Sequence, residues 1–402
     1  MRIAVACHNA AHIGGVETYL DAVVPALVGR GHQVGVWFES GTPVESRIAR
    51  LKVSTSWAAE HHGDCAISLL RAWTPDLLFV HGVQSPALEA RLLDIAPGVF
   101  FAHSYYGTCI SGSKMHAAPS SVPCTRRFGP ACIGLFYPRR CGGWSPLTML
   151  RQYGVQSDRL KLLARYRHIV IASEHMAAEY ARHGLAAKTH VVPLPATNIG
   201  TVAARAADPS AWRLLYLGRL ERTKGADIAL EASARAAGVL ERPVILRIAG
   251  AGSLERTLRQ RAQELTARFP RLTVQFPGWL DSLRRAEVFD ASDLLLIPSR
   301  WPEPFGLVGL EAGLHGVPCV AFDVGGIREW LQSDTNGWLV EPGTRGVARF
   351  ASAIADALND PVRLEGLRRR ATAAAREATI DGHVRRLEPV LAAAAASFPV
   401  AV

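Results

Sequence analysis

The chain has 402 residues, 49% of them hydrophobic and 20% charged, and a net charge of +10. It is too long for one ordinary core and too apolar to stay disordered. No run of about 18 consecutive apolar residues is present, which excludes a simple spanning helix. The excess charge is carried by arginine, since only five lysines occur, and no basic block interleaves with aromatics as a nucleic-acid surface would.

The opening MRIAVACHNA carries one charge and an apolar run too short for a signal peptide, so it reads as a first strand and predicts a cytoplasmic location. Short apolar runs at 2–7, 33–39, 76–82, 99–104 and 168–173 then alternate with helical patterns. Such runs are buried parallel strands. A Gly- and Pro-rich insert at about 105–145 breaks the alternation, and segment 191–212 has the composition of a linker. Runs at 212–218, 244–250, 272–278, 293–299 and 318–323 repeat the theme, and beyond about 345 the pattern is helical. The expected organisation is α/β, with Rossmann-like domains at 1–195 and 210–380 and a helical segment at 381–402.

Ligands in open α/β sheets bind where strands end and helices begin. Gly14 and Gly15 follow the first strand, and glycines there admit a ligand to the amides of a helix start. Arg219 follows the strand at 212–218, and Lys224 with Gly225 opens the next helix. Two cations at one strand exit form a candidate diphosphate clamp; two ordinary surface cations are the alternative. In PSRWPEPFGLVGLEA, Pro302 and Pro304 hold a loop extended and keep Glu303 outside the helix. The helix is expected to begin near Phe305 and Gly306, which leaves the amides of Phe305, Gly306 and Leu307 as first-turn donors. Glu311 is expected about one and a half turns in. Carboxylates at these two depths suit sugar hydroxyls, each oxygen accepting charge-assisted hydrogen bonds.

The pattern PS-x-x-x-E-x-FG-L-x-x-x-E-A, with GR-L-x-x-x-KG some 80 residues upstream, resembles glycosyltransferase family 4 of the GT-B fold. Gly14-Gly15 and GWLVEPG at 337–343 fit the same family. The resemblance implies two Rossmann-like domains whose parallel sheets face across a cleft, with the final helix returning to the N-terminal domain. It implies a retaining enzyme of bacterial polysaccharide biosynthesis that needs no cofactor or catalytic metal. Its donor would be a nucleotide diphosphate sugar and its acceptor a glycan, a lipid-linked sugar or a small molecule. Carried over by position, Glu303 would contact the sugar hydroxyls and Glu311 the ribose. Arg219 and Lys224 would neutralise the diphosphate, aided by amides of Gly15 and of Phe305–Leu307. The base would lie against Phe276, Gly278 and Trp279. His103 falls at the fourth strand exit, where the family has a histidine facing the donor sugar; Ser104 stands where an acid usually follows. A nucleotide-sugar epimerase on the same fold and a non-catalytic sugar-nucleotide-binding regulator are the competing readings.

Cys109, Cys124, Cys132 and Cys141 cluster in the insert, with 14, 7 and 8 intervening residues and no CxxC. Free thiols, a structural zinc site and two disulfides are all open, and the insert holds little apolar content for a core of its own. It directly follows His103, so it is expected on the acceptor side. After it, Arg151, Arg159, Lys161, Arg165 and Arg167 interleave with Leu, Tyr and Met. They form either a solvated helix face or a peripheral contact with the inner membrane face.

Overall fold

The computed structural model describes residues 1–11, 14–42, 46, 48, 53–197 and 210–396. Contacts divide the chain into two units, Met1–Pro195 with Ile380–Val402, and Ala196–Thr379. Residues 198–209 of the expected linker lie outside the described residues.

In the first unit the chain runs through β1 (Arg2–Asn9), α1 (Gly15–Gly29), β2 (Gln33–Ser40), β3 (Thr55–Ala58), α2 (Ala59–Ala72), β4 (Leu77–His81), α3 (Pro86–Leu92) and β5 (Gly98–Ala102). The insert supplies a two-stranded hairpin, β6 (Met115–His116) and β7 (Val122–Pro123), and α4 (Ala131–Leu135). Then come α5 (Pro146–Arg165), β8 (His168–Ile171), α6 (Glu174–Ala181) and β9 (Thr189–Val191). The seven-stranded sheet has the order β3-β2-β1-β4-β5-β8-β9, all parallel. β4 and β5 are buried at every residue, as strands with both faces covered must be.

The second unit contains β10 (Trp212–Leu217), α7 (Ala226–Ala237), β11 (Val244–Ala249), α8 (Glu255–Arg268), β12 (Leu272–Gly278), α9 (Ser282–Asp290), β13 (Leu294–Ile297), α10 (Val308–Leu314), β14 (Cys319–Phe322), β15 (Gly337–Val340), α11 (Gly346–Asn359) and α12 (Pro361–Glu377). Its parallel sheet has the order β12-β11-β10-β13-β14-β15. Last, α13 (Ile380–Ala396) packs against α1 and the first sheet, burying Val384, Leu387 and Leu391 beside Ile3, Val5 and Tyr19.

Both sheets reverse their winding direction once. The reversals fall between β1 and β4 and between β10 and β13. At such a point the connections leave to opposite faces, so the loops diverge and leave a crevice at the strand ends.

The insert departs from expectation. Ile110, Phe128, Phe136 and Met149 form a small core there, with Met149 supplied by α5. Lys114 is buried and paired with Glu179 of α6 at 2.5 Å, and its ammonium also donates to the carbonyl of Arg126 at 2.6 Å. These contacts fasten the insert to the unit. β9 ends at Val191, where the linker is expected to begin.

Candidate functional site

In the second unit β10 and β13 are neighbours, so their exits meet. After β10 a 3-10 turn, Arg222–Lys224, leads to Gly225 at φ +76, where α7 starts. A Cβ on Gly225 would stand 1.9 Å from the carbonyl oxygen of Pro298, so the loops approach more closely than a side chain permits. The Thr223 carbonyl accepts from the amides of Arg300 and Trp301 at 2.9 and 3.0 Å. This stitching brings Lys224 onto Glu303: Nζ lies 2.7 Å from Oε1 and 2.9 Å from Oε2. Nζ also sits 4.3 Å from the centroid of the Trp301 ring.

Glu303 is 7% exposed, and Lys224 is what makes a carboxylate there tolerable. Its carbonyl accepts from Gly326 at 2.7 Å, and Trp330 Nε1 donates to the carbonyl of Phe305 at 2.7 Å. A Cβ on Gly309 would fall 1.9 Å from the Trp330 ring, which accounts for that glycine. Among the described residues the amides of Phe305, Gly306 and Leu307 donate to no backbone acceptor. The helix itself begins at Val308, later than expected, so Glu311 lies in its first turn.

Glu311 is buried and has partners other than those of Glu303. Arg285 of α9 pairs with its Oε2, and Thr197 donates to Oε1 at 3.1 Å. Arg219 is exposed and forms no ion pair among the described residues. Trp279 is largely exposed beyond the end of β12, and Phe276 lies beneath the Arg259 guanidinium at 4.6 Å. The sequence reading missed Arg285, Thr197, Trp301 and Trp330. Only Trp301, inside the motif, carried a signal.

The first unit holds a cavity of about 240 Å³ lined by His8, Glu17, His81, Gln84, His103 and Tyr106. It lies at the β1/β4 reversal, with His81 ending β4 and His103 following β5. Gly14 and Gly15 do open α1, yet the Gly14 amide donates to Glu17 Oε2 at 2.8 Å. A carboxylate of the chain itself thus occupies part of the expected anion site.

His103 Nε2 is 2.9 Å from His81 Nδ1, and its ring stacks on Phe101. Behind them Tyr19 donates to His383 Nε2 at 2.8 Å, because His383 Nδ1–H is committed to the Pro193 carbonyl at 2.7 Å. Burial pushes His103 down to about 3 and His383 to about 4, and drives His81 well below the ordinary value. All three imidazoles are therefore neutral near pH 7. His81 Nε2 is buried with no hydrogen-bond partner. Below the cavity Glu89 accepts from Tyr106 and Tyr166, and burial raises it to about 7.

Residues 13–196 match the model for Glycosyltransferase Family 4, and residues 203–378 match Glycosyl transferases group 1. The chain belongs to glycosyltransferase family 4. It is 37% identical over 171 residues to glycogen synthase of Mycobacterium tuberculosis, covering 42% of this chain and 38% of that protein. With D-inositol 3-phosphate glycosyltransferase of Segniliparus rotundus it shares 31% over 249 residues, covering 58% and 52%. The chain thus spans about half the length, or less, of these curated relatives. HepE from Anabaena, solved with UDP and glucose, shares the GT-B fold with a TM-score of 0.69 at 17% identity, covering 98% of this chain and 100% of that one.

In this family 4 member the four insert cysteines are free thiols. Cys109 accepts from the Lys114 amide at 3.3 Å, and Cys141 lies 3.6 Å from His116 Nδ1. Burial raises Cys124 and takes Cys141 up to about 11, so these thiols are protonated and poor nucleophiles. No group of three or more His, Cys, Asp or Glu is placed to hold a metal among the described residues. The basic series of α5 is not one free face: Lys161 pairs with Asp158 and Arg165 with Asp94, while Arg159 lies over Tyr106 and donates to the Gln84 carbonyl. Arg167 lies just beyond the helix. No described helix is long and apolar enough to cross a membrane.

Proposed function

We propose that the chain transfers a sugar from a nucleoside diphosphate sugar to a hydroxyl of a glycan, lipid-linked or small-molecule acceptor, with retention and without a catalytic metal. The observation that carries this reading is the Lys224–Glu303 pair beside the open amides of Phe305–Leu307, at the sheet reversal. The UDP and glucose in the HepE structure and the UDP in Staphylococcus aureus TarM, a second neighbour of this fold, support the donor class.

Bound donor would draw the Lys224 ammonium towards its diphosphate and leave Glu303 to accept from sugar hydroxyls. The C1–oxygen bond to the diphosphate breaks with its electron pair on the leaving group. The acceptor oxygen bonds C1 on the same face and gives up its proton, which the departing diphosphate can take. Lys224 and Arg219 stabilise the developing negative charge. Arg285 and Thr197 orient Glu311 towards the ribose, and Phe276, Gly278 and Trp279 receive the base. We assign His103 a hydrogen-bonding role. With the proton of His81 on Nδ1, no N–H is stranded at its buried Nε2. His103 Nε2 then accepts, and its Nδ1–H is left to donate to the sugar.

The test is release of nucleoside diphosphate from uridine, guanosine and adenosine diphosphate sugars, with and without acceptor. Acceptor-dependent release, reduced about 100-fold or more by Lys224→Met, is the expected result. Binding without release would indicate a regulator. Conversion of the donor to its epimer, independent of acceptor, would indicate an epimerase. Should the acceptor be lipid-linked, the protein works at the inner membrane face.

A further inference from the structure

Between Asp94 and Asp158 the chain has no aspartate or glutamate, but it has Lys114, Arg126, Arg127, Arg139, Arg140 and Arg151. Lys114 is consumed by its buried pair with Glu179. The five arginines are exposed, and among the described residues none forms an ion pair. Surface arginines elsewhere commonly find an acid, as Arg165 finds Asp94.

The same segment exposes large apolar groups. Trp144 is 70% exposed, Leu147 79% and Leu150 54%. Leu147, Leu150 and Arg151 stand three and four residues apart on α5, hence on one helix face, while Met149 turns into the small core of the insert. The Arg140 guanidinium lies 5.3 Å from the Trp144 ring centroid, which joins the cationic and apolar parts in one patch.

We propose that this face docks on an anionic lipid bilayer. Trp144, Leu147 and Leu150 enter the boundary between headgroups and acyl chains, and the arginines lie among lipid phosphates. An indole suits that boundary because it is apolar in body and polar at its N–H. Juxtaposed arginines are attracted by the surface potential of anionic lipids. A polyanion in water would satisfy the arginines and leave the two leucines and the indole without gain. The proposal is independent of the sugar-transfer reading, since none of these residues belongs to the donor site.

Co-sedimentation of the full chain with phosphatidylcholine vesicles, with and without phosphatidylglycerol, tests it. Binding is expected only to the anionic vesicles and is expected to weaken with salt. At about fivefold per arginine, Arg139→Gln with Arg140→Gln weakens it about 25-fold. Trp144→Ser, Leu147→Ser and Leu150→Ser together weaken it by about tenfold or more. All five positions are exposed, so circular dichroism and the thermal midpoint of both variants should match the parent. The proposal is overturned by equal binding to both vesicle types, by no binding to either, or by variants that bind like the parent. Tight binding to soluble dextran sulfate that ignores the serine variant also overturns it, identifying a polyanion as the partner.

Discussion

Lys224 and Glu303 hold each other in a nearly dry loop, which complicates the simplest mutation. Lys224→Ala should abolish turnover, but it also leaves a carboxylate that is 7% exposed without its cation. Removing one partner of such a pair costs up to about 3–5 kcal/mol. The double variant Lys224→Met with Glu303→Gln removes both charges and should recover most of that stability while staying inactive. Denaturant unfolding combined with nucleotide release checks this. Recovery of activity together with stability would mean the pair is structural only. The same reasoning applies to Glu311, whose buried carboxylate is held by Arg285.

At the scale of elements, the donor-side geometry depends on how two strand exits interlock. Gly225→Ala places a methyl against the Pro298 carbonyl at a backbone angle that L-residues resist. It should cost more than about 1 kcal/mol and lower turnover through displacement of Lys224. A variant with unchanged melting and kinetics would show that the loops have slack. The strands of both sheets were legible because continuous apolar runs are a strong signal: ten of the principal strands fall within a few residues of their runs, from β1 to β14. β3 and β9, with the sequences TSWA and THV, were not, since polar residues leave no continuous apolar run in either. Glu303 and Glu311 were legible from prolines and glycines close by. Their pairings were not: Arg285 stands 26 residues from Glu311, Thr197 stands 114, and Lys224 stands 79 from Glu303. Such pairings are made by sheet order, which a single sequence does not display. Glu89 and His383 went unnoticed for the same reason.

For the whole molecule, titration follows from buried groups of opposite sign in the first unit. His81, His103 and His383 bind protons less readily folded than unfolded. Stability from these residues is thus complete above the ordinary value of 6.5 and is lost as pH falls below it. For His383 the loss at full protonation is on the order of 3 kcal/mol. Glu89 has the opposite sense, because its folded value is raised from 4.5 to about 7. The folded state holds its proton longer than the unfolded state, so stability declines as pH rises from about 4.5 to about 7. The thermal midpoint of Glu89→Gln should therefore gain on the parent across that interval and run parallel to it above. Parallel curves throughout would show that Glu89 is not protonated in the folded protein.

The helix α13 covers the sheet that β1 begins. During synthesis the opening 195 residues leave the ribosome without Val384, Leu387 and Leu391, and Tyr19 lacks the imidazole that accepts its hydroxyl proton. That half must wait, with an apolar groove uncovered, while the whole second unit is translated. Nor can it be exchanged between relatives as one contiguous stretch of gene. A working chimera has to carry its own closing helix from beyond the second unit.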